Sequence, residues 1–135
     1  AMLKLFETAN QAMTAQQQRM TAVASNMANV DSVSSNASNG YKARRVVFQV
    51  QPIGNDPQAA SVGVSKVVED QRPMKAVYQP GHPLADDKGY IYMPNVNPVE
   101  EMTDMMSASR SFQMNADVMN AAKQMAQKAI QLGAE

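Results

Sequence analysis

Apolar residues recur at seven-residue intervals near both ends of the chain. The first stripe consists of Phe6, Met13, Met20 and Met27, joined by Ala9, Val23 and Val30 at intervening heptad positions. The second consists of Met105, Phe112, Met119 and Ala126, joined by Ala116 and Ile130. Heptad spacing is what two α-helices need to bury a shared seam. The pattern therefore predicts two long end helices that pair through these residues.

The region between the stripes has a different composition. All seven prolines and five of the six glycines lie between Gly40 and Pro98, which predicts turns and short strands. Strand-like runs occupy 41–50, 62–68 and 89–93. Five prolines are expected to divide this region into short pieces: Pro52, Pro57, Pro73, Pro80 and Pro83. We predict an α+β fold in which 1–35 and 98–135 form a coiled-coil-like helical domain, with a small β-rich insert at 36–97.

The second helix has clear boundary signals. Asn97 suits the N-cap, Pro98 suits the first helical position, and Glu100 stands where a capping box needs its carboxylate. Gly133 is placed to end the helix after Leu132. A helix of about 35 residues far exceeds the average of roughly 11–12 and needs a partner along most of its length.

Some apolar residues of this helix are predicted to point away from the seam, among them Val118, Met125 and Leu132. One pair of helices cannot cover both faces, so neighbouring subunits must cover the second. We expect the helices to order fully only when subunits associate, as in coupled folding and binding. Gln16 falls at an inner heptad position, where it either fixes the register by a hydrogen bond or faces solvent.

Charge and composition exclude several classes of function. Twelve basic residues balance twelve acidic ones, so the chain has no electrostatic attraction to nucleic acid or anionic lipid. The one basic cluster, Lys42, Arg44 and Arg45, is interpreted as the solvated face of a strand. The absence of cysteine and the single histidine argue against metal sites, and no run is apolar enough for a membrane span or a secretory signal. No cofactor is expected.

The best catalytic candidate is His82 with Asp86 and Asp87, because a histidine beside a carboxylate can act as a general base. The surrounding Gly81 and Pro83 favour a tight turn instead, and no activated nucleophile is recognisable. We predict that the protein is not an enzyme. A small hydrolase and a self-contained helical module that binds a protein or peptide remain as alternatives.

Several local runs of the chain carry a resemblance to a known family. One is 24–32, with Ser25, Asn26, Ala28 and Asn29, and another opens with Gly40 and Tyr41. They resemble the end of the N-terminal helix and the start of the β-region in the axial proteins of the bacterial flagellum, the family that builds its rod and hook. Three further runs narrow the resemblance to the proximal rod of the basal body. Their matching residues are Gly81, Pro83, Leu84, Ala85, Gly89, Tyr90, Pro94, Asn95, Val96, Ser107, Ser109 and Arg110.

This resemblance implies a structural subunit of the hollow rod, which transmits torque and conducts exported subunits. The implied partners are copies of the same chain, neighbouring rod proteins and the flagellar type III export apparatus. The implied location is the periplasmic rod, reached without a cleaved signal peptide. The end helices would line the channel, and no nucleic acid, membrane insertion or small-molecule substrate is expected.

Overall fold

The computed structural model describes residues 2–53 and 56–134. Helix α1 spans Met2–Ala28 and helix α2 spans Pro98–Ala134. Four strands lie between them: β1 (Arg44–Ile53), β2 (Asp56–Glu69), β3 (Lys75–Tyr78) and β4 (Tyr90–Met93). The predicted α+β fold, with two long helices around a small antiparallel β insert, is confirmed.

The two helices run antiparallel. Asn26, near the end of α1, hydrogen-bonds to Glu101 in the first turn of α2, and the earlier Arg19 pairs with the later Asp104. Extending this register places the beginning of α1 roughly opposite Ala122. Because α1 has 27 residues and α2 has 37, the last turns of α2 extend past its partner. We call residues 123–133 the overhang.

The seam on α2 consists of two interleaved heptads. One is the predicted series of Met105, Phe112, Met119 and Ala126, all half-buried. The other begins at Glu101 and continues through Ala108, Asn115 and Ala122; its first, second and fourth members are buried, and Asn115 is half-buried. The prediction missed this second heptad because its residues are small or polar. Small side chains let the helix backbones approach closely.

Helix α1 buries a wider face than one heptad stripe. Ala9 and Val23 are buried, whereas Phe6, Met13, Met20 and Met27 are half-buried. Ala15 and Ala22 are also buried, and they share a face with Arg19 and Asn26, which both contact α2. The face is wide because α1 contacts β1 and β2 as well as α2.

Three details of the predicted helices are wrong. Ile130, expected in the seam, is 72% exposed because it lies about two helical turns past Ala122, roughly where α1 begins. Val30 lies beyond Ala28, where α1 ends, and is half-buried in the turn that follows. Gly133 does not end α2, which continues to Ala134.

Strands β1 and β2 form a long antiparallel hairpin, with a register shift between Val47 and Phe48. Pro52 and Pro57 lie within these strands, so the expectation that they would divide them is wrong. A two-stranded sheet consists only of edge strands, where a missing N–H group is tolerated. Residues 54 and 55 lie outside the described part of the chain.

Strands β3 and β4 form a second antiparallel pair, and Ser34 makes an isolated bridge to Tyr92 on its edge. Strand β3 was not predicted; it has only four residues, and its side chains are mostly exposed. The small core of the insert contains the buried side chains of Ala43, Met74, Ile91 and Val96.

Candidate functional site: a polar junction between helices and insert

Asn26 links α1 to both the insert and α2. Its Nδ2 donates to the carbonyl oxygen of Arg44 and to Glu101 Oε2, each at 3.0 Å. Its Oδ1 accepts from the hydroxyl of Tyr41 at 2.7 Å and from the N–H of Arg44 at 2.8 Å. Since an amide side chain offers two donors and two acceptor positions, this fully buried residue is saturated.

Glu101 supplies the charge at the centre of this arrangement. Its side chain is 0% exposed, and Arg45 Nη1 donates to its Oε1 at 2.5 Å. Arg45 also lies 3.6 Å from Asp70 through its Nε. A buried carboxylate is stable only when paired and hydrogen-bonded, and Glu101 is both. We call Asn26, Tyr41, Arg45, Asp70 and Glu101 the junction.

The ion pairs continue outward from Asp70. Arg72 donates from Nε and Nη2 to this carboxylate, with its Nη2 at 2.7 Å from Oδ2. These hydrogen bonds lower the pKa of the Asp70 carboxyl and raise the pKa of Arg72. Arg72 also lies 3.6 Å from Glu100, the residue expected to complete a capping box. Within the basic cluster seen in the sequence, Arg45 therefore forms ion pairs. The guanidinium carbon of Arg44 lies over the ring of Tyr41, 5.7 Å from its centroid.

Two further motif residues brace the junction. Ser25 and Tyr41 share a hydrogen bond of 2.8 Å between their hydroxyls. Asn95 accepts from the N–H of Ala43 and donates to the carbonyl oxygens of Asp70 and Arg72, so it fixes the strand ends next to the junction. Asn97 accepts from the N–H of Val99, as its predicted role of N-cap requires.

His82 and Asp86 serve separate parts of one turn. His82 Nδ1 accepts from the N–H of Leu84 at 3.0 Å. Asp86 accepts from the N–H of Tyr90 and, at 2.9 Å, from the hydroxyl of Tyr92. The bond from the Tyr90 N–H is the main cause of the lowered pKa of Asp86, which in turn raises the pKa of Tyr92. Gly89 has a φ of 87°, a conformation that requires glycine. This geometry supports the turn and not a catalytic pair.

The remaining motif residues lie outside the junction, some in contacts or buried positions and others exposed. Asn29 Nδ2 donates to the carbonyl oxygen of Ser25 at the end of α1, and Gly40 lies against the side chain of Met74. Tyr90 makes an edge contact with Tyr78 at 5.3 Å between ring centroids. Pro94 and Val96 are buried. Exposed positions are occupied by Ala28, Gly81, Pro83, Leu84, Ser107, Ser109 and Arg110, whereas Ala85 is half-buried.

Sequence reasoning missed the central role of Glu101 and its partners Arg45 and Asp70. In the sequence, Glu101 is one of two acidic residues in the first turn of α2, a position that by itself indicates only a favourable interaction with the helix dipole. The available signal was its position seven residues before Ala108, which places it on the same helix face as a small residue. Gln16, left open by the sequence, accepts from Arg19 at 3.4 Å, and Arg19 in turn pairs with Asp104 across the seam.

The chain is similar along nearly its whole length to known proteins. Residues 87–132 match the family described as flagellar basal body rod FlgEFG protein C-terminal. The chain is 50% identical over 135 residues to the flagellar basal-body rod protein FlgC of Escherichia coli O6:H1, covering 98% of each chain. It is 47% identical over 133 residues to FlgC of Salmonella typhimurium, with the same coverage. FlgC of Bacillus subtilis is 37% identical over 137 residues, covering 90% of this chain and 91% of that protein.

Within the part of the chain that the structure describes, neither helix is long and apolar enough to cross a bilayer. The described residues also contain no group of three or more acidic or histidine side chains arranged to hold a metal ion.

Proposed function

The chain belongs to the FlgC family of flagellar basal-body rod proteins, and we infer that it is a structural subunit of the rod. The observation that carries this conclusion is the similarity over 98% of the chain to FlgC proteins. A self-contained peptide-binding module is not favoured, because the likeness covers both helices and the insert together.

The junction supports this function by fixing the insert to the helices. Asn26 and Glu101 come from the two helices, whereas Tyr41, Arg45 and Asp70 come from the insert. We propose that this connection keeps the helical pair and the insert in one orientation, so that every subunit presents the same surfaces to its neighbours.

The exposed apolar residues of α2 support assembly. Met125, Ile130 and Leu132 are 61–72% exposed at the overhang. We propose that neighbouring rod subunits cover them and that the seam residues, with Phe112 and Met119 at their centre, hold the helical pair together in the rod. We further propose a periplasmic location, and export by the flagellar type III apparatus without a cleaved signal peptide.

Deletion of the gene in the bacterium that encodes the chain tests the function. We expect loss of swimming and basal bodies that lack a completed rod in electron micrographs. A plasmid copy should restore both, and an epitope-tagged copy should purify with the basal bodies. Normal swimming and complete rods in the deletion strain would contradict a rod function.

A further inference from the structure

The loop between α1 and β1 contains the one Asn-Gly pair of the chain, Asn39 and Gly40. Asparagine is a thermolabile residue, because the main-chain nitrogen of the next residue can attack its side-chain amide carbon. A side chain on that next residue hinders the attack, whereas glycine has no Cβ and lets the two groups approach closely. The sequence therefore makes position 39 the most reactive of its asparagines.

The reacting groups of this pair are not held by the rest of the fold. Asn39 is exposed, and among the described residues neither its side-chain amide nor the N–H of Gly40 has a hydrogen-bond partner. Asn36 in the same loop differs, because its Oδ1 accepts from the N–H and the hydroxyl of Ser38, at 2.7 and 2.8 Å. The fold therefore restrains one exposed amide of the loop and leaves the other free.

The packing of the insert keeps glycine at position 40. A Cβ atom built there would collide with the Sδ–Cε end of Met74 and lie 3.1 Å from the Cβ of Ser34. Met74 is only 9% exposed, so its side chain has little room to move away. The contact that closes the small core of the insert therefore gives Asn39 a neighbour that does not hinder the reaction.

The loop is anchored on both sides of Asn39. On one side, the N–H of Ser34 donates to the carbonyl oxygen of Tyr92 at 2.8 Å, and the N–H of Tyr92 donates back at 2.9 Å. On the other side, the hydroxyl of Tyr41 donates to Asn26 in the junction at 2.7 Å. Any change in the length of the main chain at position 39 falls between these two fixed points.

We propose that Asn39 deamidates spontaneously and that the chain thereby acquires an isoaspartate next to the junction. The main-chain nitrogen of Gly40 forms a bond to Cγ of Asn39, the Cγ–Nδ2 bond breaks, and the amide leaves as ammonia with the proton of that nitrogen. Water then opens the resulting five-membered imide. Opening at Cγ gives aspartate, whereas opening at the main-chain carbonyl carbon gives isoaspartate, whose main chain runs through Cβ and Cγ and is one atom longer.

The two products differ in their effect on the fold. Both place a negative charge at an exposed position, where a single charge has little effect on stability. Only isoaspartate lengthens the main chain between the two anchors, and it therefore shifts Gly40 against Met74 and Tyr41 against Asn26. The reaction needs only water, so it is independent of the proposed rod function.

Peptide mass spectrometry of the purified full chain, kept in warm, mildly alkaline buffer, tests the site. Position 39 should lose its amide within about threefold of the rate in a synthetic peptide of residues 34–44, because the fold does not protect the reacting groups. Asn36 is the internal control and should react at least about tenfold more slowly, since the residue after it carries a Cβ. A methyltransferase specific for isoaspartate should label the product. An intact amide at Asn39 while the peptide reacts, or a product without label, would overturn the proposal.

A pair of variants tests the role of the glycine. Met74→Ala makes room for a Cβ at position 40. Adding Gly40→Ala in that background should slow the loss of the amide at least about tenfold relative to Met74→Ala alone. Equal rates in the two variants would show that the missing side chain at position 40 does not control the reaction.

Urea unfolding of aged protein tests the effect on the fold. The urea midpoint of the unaltered protein should fall with incubation time, whereas Asn39→Gln should keep its midpoint, because the longer side chain forms the corresponding imide much more slowly. Freshly prepared Asn39→Asp carries the charge without the longer main chain and should match fresh unaltered protein. Equal midpoints of aged and fresh unaltered protein would contradict the effect on the junction. Gene deletion reports the rod function separately, so either result stands without the other.

Discussion

The junction and the overhang of α2 are opposite in character, although both belong to the same pair of helices. At the junction every polar group of Asn26 has a partner, and Glu101 is buried among donors. At the overhang, Ile130 and Leu132 expose most of their surface, at 72% and 69%. One region is therefore complete within a single chain, and the other has apolar surface that only another molecule can cover. The difference separates the contacts that stabilise a single folded chain from the surface that is available for contacts between chains.

The largest effect is expected at the centre of the junction. Glu101→Ala leaves Arg45 and Asn26 without their shared carboxylate and should lower the free energy of unfolding by about 2–4 kcal/mol. Urea unfolding followed by circular dichroism measures this loss. Glu101→Gln is the matched control, since it keeps an oxygen that accepts hydrogen bonds, and should lose less. A loss below about 1 kcal/mol for Glu101→Ala would show that the junction does not hold the fold together.

A smaller effect is expected in the seam. Ala15 is 1% exposed, so Ala15→Leu should overpack the face that α1 turns to its neighbours and cost about 1–3 kcal/mol. Ala24→Leu, at an exposed position of the same helix, should change stability by no more than about 0.5 kcal/mol. Equal effects of the two substitutions in urea unfolding would mean that the stability of the fold does not depend on the close approach of the helices.

The ion pairs of Asp70 predict a dependence on pH. The pKa of its carboxyl is lowered in the folded protein, chiefly by the hydrogen bonds from Arg72. The pair therefore contributes stability above the ordinary carboxyl pKa of about 3.9, and this contribution is lost as the pH falls through the lowered value. The urea midpoint of the unaltered protein should decline below about pH 4. The midpoint of Asp70→Asn should decline less over the same range. Parallel curves for the two proteins would assign the acid sensitivity to other carboxyls, including Asp86.

The smallest effect on stability is expected at the overhang. Ile130→Asp should change the free energy of unfolding of the free chain by no more than about 0.5 kcal/mol, because the side chain has no partner to lose. The same change should nevertheless prevent incorporation into rods, measured as the amount of tagged protein in purified basal bodies. Gln131→Asp adds the same charge without removing an apolar side chain and should be incorporated. Normal incorporation of Ile130→Asp would show that neighbours do not cover this surface.

Limits of the sequence prediction can be seen in particular residues. The heptads predict Met105 and Phe112 as members of the seam because both are apolar and regularly spaced, and both side chains are half-buried. They could not identify Ala108 or Glu101, since hydrophobicity says nothing about a small residue at a close approach or a carboxylate buried by a distant arginine. Strand β3 was missed for a related reason: four mostly exposed residues give no alternation of apolar and polar positions.

The two long helices, the start of α2 after the N-cap Asn97 and the insert between them follow from the sequence, because periodicity and capping depend on residues that are neighbours along the chain. The sequence also carries the family resemblance in local runs such as 24–32. The meeting of Asn26, Arg45 and Glu101 depends on the tertiary fold, since they lie on three different elements. The same holds for the extension of α2 past the end of α1, because the register of two helices depends on contacts between residues far apart in the chain.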